Sequence, residues 1–165
     1  DLHSFPTRRS SDLWQSAQVF SRADGVSCRA GQLGPCRFDA SDTPDLVPPL
    51  AVACAFARGD SRITGVGRLR LKESDRVETV CLTLRRMGAR VSSTEDAIEV
   101  LGSGSLAGGE VDASGDHRIA MMAAVAAAYC TGPTTIHAAE CVSKSYPAFF
   151  DDFRLLGGIV EGKGA

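Results

Sequence analysis

The chain contains its own template. Residues 38–64, FDASDTPDLVPPLAVACAFARGDSRIT, lie without a gap on residues 111–137, VDASGDHRIAMMAAVAAAYCTGPTTIH, at a constant offset of 73. Asp-Ala-Ser meets Asp-Ala-Ser, Val52-Ala53 meets Val125-Ala126, Gly59 meets Gly132 and Ile63 meets Ile136. With small slips the likeness extends outward: ADGVSCRAGQL resembles EDAIEVLGSGSL upstream, and LRRMGARV resembles FRLLGGIV downstream. A repeat of this kind restricts the fold to one supersecondary unit used at least twice, and it makes paired positions structurally equivalent.

Local signals give the content of that unit. GVSCRA and AIEVLG alternate as short strands do, and SRITGV and PTTIHAA bring β-branched residues in after glycine. Residues 44–58 and 117–129 read as helices with proline or charge in the first turn and alanine-rich apolar faces behind. Residues 74–87 read as a further helix, with Val77, Val80, Leu84 and Met87 on one stripe and a stop at Gly88; residues 147–156, ended by Gly157-Gly158, are its counterpart. The expected class is α/β (α+β), built from repeated β-α-β-α-β-β units, with helices apolar enough to sit inside under a covering of sheet.

At 165 residues, 44% hydrophobic and 23% charged, the chain has the makings of one domain with a proper core. A formal charge of −2 and a pI near 5.9 supply no net basic field, so nucleic acid is not an expected partner and any anion site must be local. The longest apolar run, residues 119–130, is too short to cross a bilayer, so no membrane span is expected. Six cysteines fall at irregular spacings without C-x-x-C, several in apolar surroundings, which fits buried thiols in a reducing cytoplasm better than a zinc site or a disulfide framework. Residues 1–13, DLHSFPTRRSSDL, differ from the rest and resemble an in-frame translation of a sequencing-library adapter; they are expected to be non-native, with the true chain beginning upstream of Trp14.

The charged residues gather at helix beginnings. Asp45 opens the first helix, and the equivalent position in the second copy is Arg118, preceded by Asp116 and His117. KESDR, which holds Lys72, Glu73, Ser74, Asp75 and Arg76, leads into the next helix, and Lys144-Ser145 leads into its counterpart. Helix N-termini offer unpaired N–H groups and the positive end of the dipole, so they favour anions; an arginine there opposes the dipole and calls for an anion to justify it. If 72–76 is helical, Lys72 or Glu73 shares a side with Arg76. The plainer reading takes Arg76 and Arg118 as surface ion pairs worth roughly 0–1 kcal/mol. It takes Ser74 and Asp116 as helix caps, Lys72-Glu73 as a solvated charge run and His117 as a hydrogen-bonded structural histidine.

Taken together, SDTPDLVPPLA, LKESDR, GDHRIAM and ECVSKSYPAFFDDFRLLGG resemble the EPSP synthase (3-phosphoshikimate 1-carboxyvinyltransferase) family in its C-terminal portion, over about residues 14–158. The resemblance implies an inverse α/β barrel-like, two-domain transferase whose domains each hold three units with helix N-termini facing the interdomain cleft. Residues 14–165 then form an incomplete C-terminal domain of about two units, and a missing N-terminal domain is an implied partner. It implies transfer of the enolpyruvyl group of phosphoenolpyruvate to the 5-hydroxyl of shikimate 3-phosphate with release of phosphate, in the cytoplasm, by an enzyme that is a monomer when complete. By motif, Asp45 is the implied base for the hydroxyl and Glu73 the proton donor to the methylene carbon. Lys72 contacts shikimate 3-phosphate and shares in proton transfer, and Arg76, Arg118 and Lys144 hold the anionic groups of phosphoenolpyruvate. No cofactor and no metal is implied. The 165-residue piece is expected to be inactive on its own. Two rivals stand beside this reading: the related transferase acting on a UDP-sugar, against which KESDR followed by GDHRIAM argues, and a noncatalytic module whose charged ends merely satisfy an interface.

Overall fold

The computed structural model describes residues 18–22, 25–29, 31, 33–72 and 74–162. The adapter-like segment, Trp14 and Glu73 lie outside the described residues. Among the described residues there are eight strands, β1 (Gln18–Arg22), β2 (Gly25–Arg29), β3 (Arg37–Asp39), β4 (Arg58–Thr64), β5 (Arg90–Ser93), β6 (Ala97–Ser103), β7 (Gly109–Asp112) and β8 (Thr134–His137), and four α-helices, α1 (Val47–Phe56), α2 (Arg76–Arg86), α3 (His117–Ala127) and α4 (Phe149–Leu155). One complete unit therefore runs β3-α1-β4-α2-β5-β6, the order expected from the sequence, and a second begins β7-α3-β8 and continues to α4.

The repeat is reproduced bond for bond. β3 pairs parallel with β4 in the register Phe38↔Ile63, and β7 pairs parallel with β8 in the register Val111↔Ile136, each residue displaced by the same offset. The turn that follows is shared as well. Ala40 N–H donates to Thr64 O at 2.9 Å and Ala113 N–H to His137 O at 3.0 Å. Asp39 Oδ1 accepts the Ser41 N–H, and Asp112 Oδ1 accepts that of Ser114. The first unit completes a four-stranded sheet in the order β3-β4-β6-β5, in which β6 pairs antiparallel with both β4 and β5.

One face of that sheet is covered by helix. α1, read from VPPLAVACAF, is apolar on every side and buries Val47, Ala51, Val52, Cys54 and Ala55. α2 is amphipathic, and the stripe read from its sequence, Val77, Val80, Leu84 and Met87, is fully buried beside Ile63, Ile98 and Val100 of the sheet. α3 adds Ile119, Met122, Ala123 and Ala126 to the same core. The packing is close where α1 ends: a Cβ on Gly102 would collide with the carbonyl oxygens of Cys54 and Ala57, so only glycine lets β6 pass under the helix C-terminus.

The boundaries differ from expectation in instructive ways. Pro44–Leu46 is a single 3-10 turn before α1. α2 begins at Arg76 with Asp75 as its cap, accepting the Glu78 N–H at 3.0 Å, whereas Ser74, the expected cap, instead accepts from the Thr79 hydroxyl. Residues 67–71 and 139–144 form 3-10 turns ahead of α2 and α4. Lys72 therefore follows a 3-10 turn with extended backbone, φ −89° and ψ −162°, and the helical same-side argument for Lys72 and Arg76 does not hold.

The buried stripe of α2 gives a direct stability test. Leu84→Ala is expected to lower the unfolding free energy by about 2–5 kcal/mol, because it leaves a cavity under the sheet. Leu82→Ala, on the exposed side of the same helix, should stay within about 0.5 kcal/mol of the parent. Urea titration of both variants measures this, and equal losses would contradict the helix orientation.

Candidate active site

The cluster is assembled by turns that leave little freedom. In the stretch DASGDHR, Ser114 and Gly115 take left-handed backbone, φ +53° and +70°, which turns the chain sharply from β7 into α3. Asp116 caps α3 by accepting the Arg118 N–H on Oδ1 at 3.0 Å. Its other oxygen, Oδ2, accepts from Arg76 Nε at 2.8 Å. Both partners of this pair are enclosed, with side chains 1% exposed for Arg76 and 0% for Asp116. A buried guanidinium and a buried carboxylate are costly to hold apart from one another, so the pair ties the start of α2 to the start of α3.

Asp45 sits where this buried pair reaches solvent. Arg76 Nη1 approaches Asp45 Oδ1 at 3.5 Å, and Arg118 Nη2 donates to Asp45 Oδ2 at 2.9 Å. The Asp45 side chain is 53% exposed and that of Arg118 34%. Asp45 and Arg118 occupy equivalent positions of the repeat, 73 residues apart, and here they face each other across its axis of likeness. Lys144 joins from the 3-10 turn ahead of α4, donating from Nζ to Gly115 O at 2.8 Å on the turn that carries Asp116. Asp45, Arg76, Asp116, Arg118 and Lys144 are thus linked through contacts at one mouth, formed where α1, α2 and α3 all begin.

Not every expected residue is placed there by a contact. Lys72 is exposed four positions before Arg76, and Glu73 lies outside the described residues. The plain reading of Arg76 as half of a surface ion pair is corrected in part: it is ion-paired, but its side chain is buried between Asp116 and Asp45, where a carboxylate partner replaces the lost water. Asp116, expected only to cap, is the buried counterion, and no pattern in the sequence could reveal a partner 40 residues away. His117 departs from the hydrogen-bonded histidine expected: its Nδ1 is buried with no hydrogen-bond partner among the described residues.

The neighbourhood limits the chemistry. Burial pushes the Cys141 thiol up, with Lys144 nearby acting in the opposite direction, so this cysteine packs as a neutral group with Ala113 and Ala120. Among the described residues no group of three or more His, Cys, Asp or Glu side chains could hold a metal ion. No described helix is long and apolar enough to cross a membrane. A second open cleft is lined by Arg37, Arg62, Arg85 and Arg90; two of these are paired, Arg62 with Glu99 at 2.6 Å and Arg85 with Glu78 at 3.3 Å. The mouth at the helix beginnings differs in gathering Arg76, Arg118 and Lys144 around the exposed carboxylate of Asp45 and the buried one of Asp116, an arrangement suited to small anions and to moving a proton.

The family model for EPSP synthase (3-phosphoshikimate 1-carboxyvinyltransferase) matches residues 16–153. A 3-phosphoshikimate 1-carboxyvinyltransferase of Clostridium perfringens is 40% identical over 145 residues, which is 88% of this chain and 34% of the relative. That of Clostridium acetobutylicum is 48% identical over 123 residues, 74% of this chain and 29% of the relative. The chain spans about a third of the length of the curated relatives it matches. Among solved structures, an EPSP synthase from Acinetobacter baumannii superposes with a TM-score of 0.79 at 32% identity, covering 92% of this chain and 39% of that one. The enolpyruvyl transferase NikO of Streptomyces tendae shares the fold, with a TM-score of 0.72 at 23% identity. With its model matched from residue 16 to residue 153 and its relatives aligned along most of this length, the chain belongs to the EPSP synthase family.

Proposed function

We propose that this chain supplies the cationic wall and the hydroxyl base of an enolpyruvyl transfer from phosphoenolpyruvate to the 5-hydroxyl of shikimate 3-phosphate. The observation that carries the reading is the convergence of two guanidinium groups, from positions 76 and 118, on the single exposed carboxylate of Asp45. Arginine forks of this kind receive carboxylates and phosphates, and both substrates are polyanions. Asp45 occupies that fork. An entering carboxylate or phosphate takes the guanidinium N–H groups in its place and releases Asp45 to accept a proton.

The residues then have separable tasks. Asp45 accepts the proton of the 5-hydroxyl as its oxygen bonds to C2 of phosphoenolpyruvate, and Glu73 delivers a proton to the methylene carbon, turning it into a methyl group. Glu73 takes a proton back from the methyl group as the C–O bond to phosphate breaks, so the double bond returns, and the leaving phosphate takes up the proton that Asp45 had accepted. Lys72 contacts the 3-phosphate of the acceptor and shares in the proton transfer. Arg118 and Lys144 hold phosphoenolpyruvate, and Arg76 holds it through its Nη side while Nε stays on Asp116. The rest of the enzyme, which supplies further substrate contacts, is the partner this wall requires; the complete protein is proposed to be a cytoplasmic monomer.

The test is a chimera in which this chain replaces the matching third of the Clostridium perfringens relative. Phosphate release is expected only when phosphoenolpyruvate and shikimate 3-phosphate are both present. A folded chimera that releases none, or that accepts UDP-N-acetylglucosamine instead, would overturn the reading. In the active chimera, Asp45→Asn is expected to lower kcat by about 10²–10⁴-fold, the usual worth of a general base. Arg118→Met should act chiefly through the KM for phosphoenolpyruvate, and steady-state kinetics separates the two effects.

A further inference from the structure

Two cysteines that the proposed reaction does not use lie against each other. Cys36 Sγ and Cys54 Sγ are 3.5 Å apart in the core, with Cys36 5% exposed and Cys54 0% exposed. About 1.5 Å of closure separates this contact from the S–S bond length of about 2.0 Å. Neither sulfur is held by chance. Cys36 donates its N–H to Ser61 Oγ at 3.1 Å, and its carbonyl accepts the Arg62 N–H at 2.9 Å, so its backbone is fixed to β4 on both sides. Cys54 sits in the last turns of α1, whose end is packed on Gly102 of β6. The hydrogen bond shared with the Cys36 thiol also lowers the Cys54 thiol from its ordinary value, although burial opposes this. By contrast, burial pushes the thiols of Cys81 and Cys130 up.

We infer that Cys36 and Cys54 form an oxidisable dithiol, a modification site that a peroxide converts to an intramolecular disulfide joining the start of β3 to α1. The chemistry balances in two steps. The more accessible Cys36 attacks the peroxide; the O–O bond breaks, the sulfur becomes a sulfenic acid and one water, or one alcohol from an organic peroxide, departs. Cys54 then attacks the Cys36 sulfur, the S–O bond breaks and a water leaves, so that two thiols are oxidised by two electrons while the peroxide is reduced. The second step is favoured because the resolving sulfur is already in contact, which gives it a high effective concentration. Cys36 is itself only 5% exposed, which admits a small peroxide but keeps a bulky thiol such as glutathione from its sulfenic acid, so the internal bond is the product.

The inference does not rest on the proposed enzymatic function, and its test is chemical. The 165-residue chain is treated with hydrogen peroxide under native conditions, alkylated after denaturation without reduction, and digested with trypsin, which cuts after Arg29, Arg37 and Arg58 and so puts the two cysteines on separate peptides. The expected product, in the monomer fraction, is peptide 30–37 joined to peptide 38–58, lighter by two hydrogen atoms than their sum and separated again by dithiothreitol. In Cys54→Ser the link is lost and Cys36 is recovered as a sulfinic acid or a mixed adduct. Since that variant could be unstable, the parent chain decides alone. Recovery of Cys36 and Cys54 both alkylated, or linkage of either to a different cysteine or a second chain, would overturn the inference.

Discussion

The buried contact between Arg76 and Asp116 is the constraint on which the rest of the site depends. Two opposite charges withdrawn from water are tolerated only as a pair, and each here comes from a different unit of the repeat. The pair fixes the first turn of α2 against the first turn of α3, and Asp45 at the start of α1 closes the arrangement through Arg76 and Arg118. Three helix beginnings are thereby gathered at one opening. A hydrophobic contact in the same place would hold the helices together but would leave their tips without charges to present.

The duplication explains why the opening has the character it does. Equivalent positions carry Asp45 and Arg118, an exchange of sign at a shared site in the fold, so bringing the two copies together produces an ion pair across them and not a repulsion. A helix N-terminus disfavours a cation, and the proximity of Asp45 offsets that cost for Arg118. The same pairing keeps the guanidinium group oriented toward the place an incoming anion would take. Lys144 contributes in a different way, by bonding the carbonyl of the Gly115 turn and so bracing the segment that presents Asp116.

Much of this was legible in the residues, and the parts that were not have physical reasons. Offset identity revealed the β-α-β-α-β-β unit, and periodicity located the buried stripe of α2 at Val77, Val80, Leu84 and Met87. Strands β3, β5 and β7 carried little signal of their own, because RFD, RVSS and GEVD are too short and too polar to alternate visibly, and they are strands by virtue of their neighbours. Candidate site residues were recognisable from motif and helix-end position, but their burial was not. Arg76 and Asp116 look like surface groups in sequence, since nothing local announces a partner in the other copy. The approach to α2 was misjudged for a related reason: Asp75 outcompetes Ser74 as a cap once Arg70 also reaches its carboxylate, and the helix then starts too late to include Lys72.

The most direct test of this account is a double-mutant cycle on Arg76→Met and Asp116→Asn, read by equilibrium urea unfolding of the parent, both single variants and the double variant. Each single change strands a buried charge and is expected to cost about 3–5 kcal/mol. The double change should cost less than the sum of the two, by about 1–3 kcal/mol of coupling. Losses that add to within about 0.5 kcal/mol would mean that the two side chains do not sense each other, and the pairing of the two units through their helix tips would be contradicted.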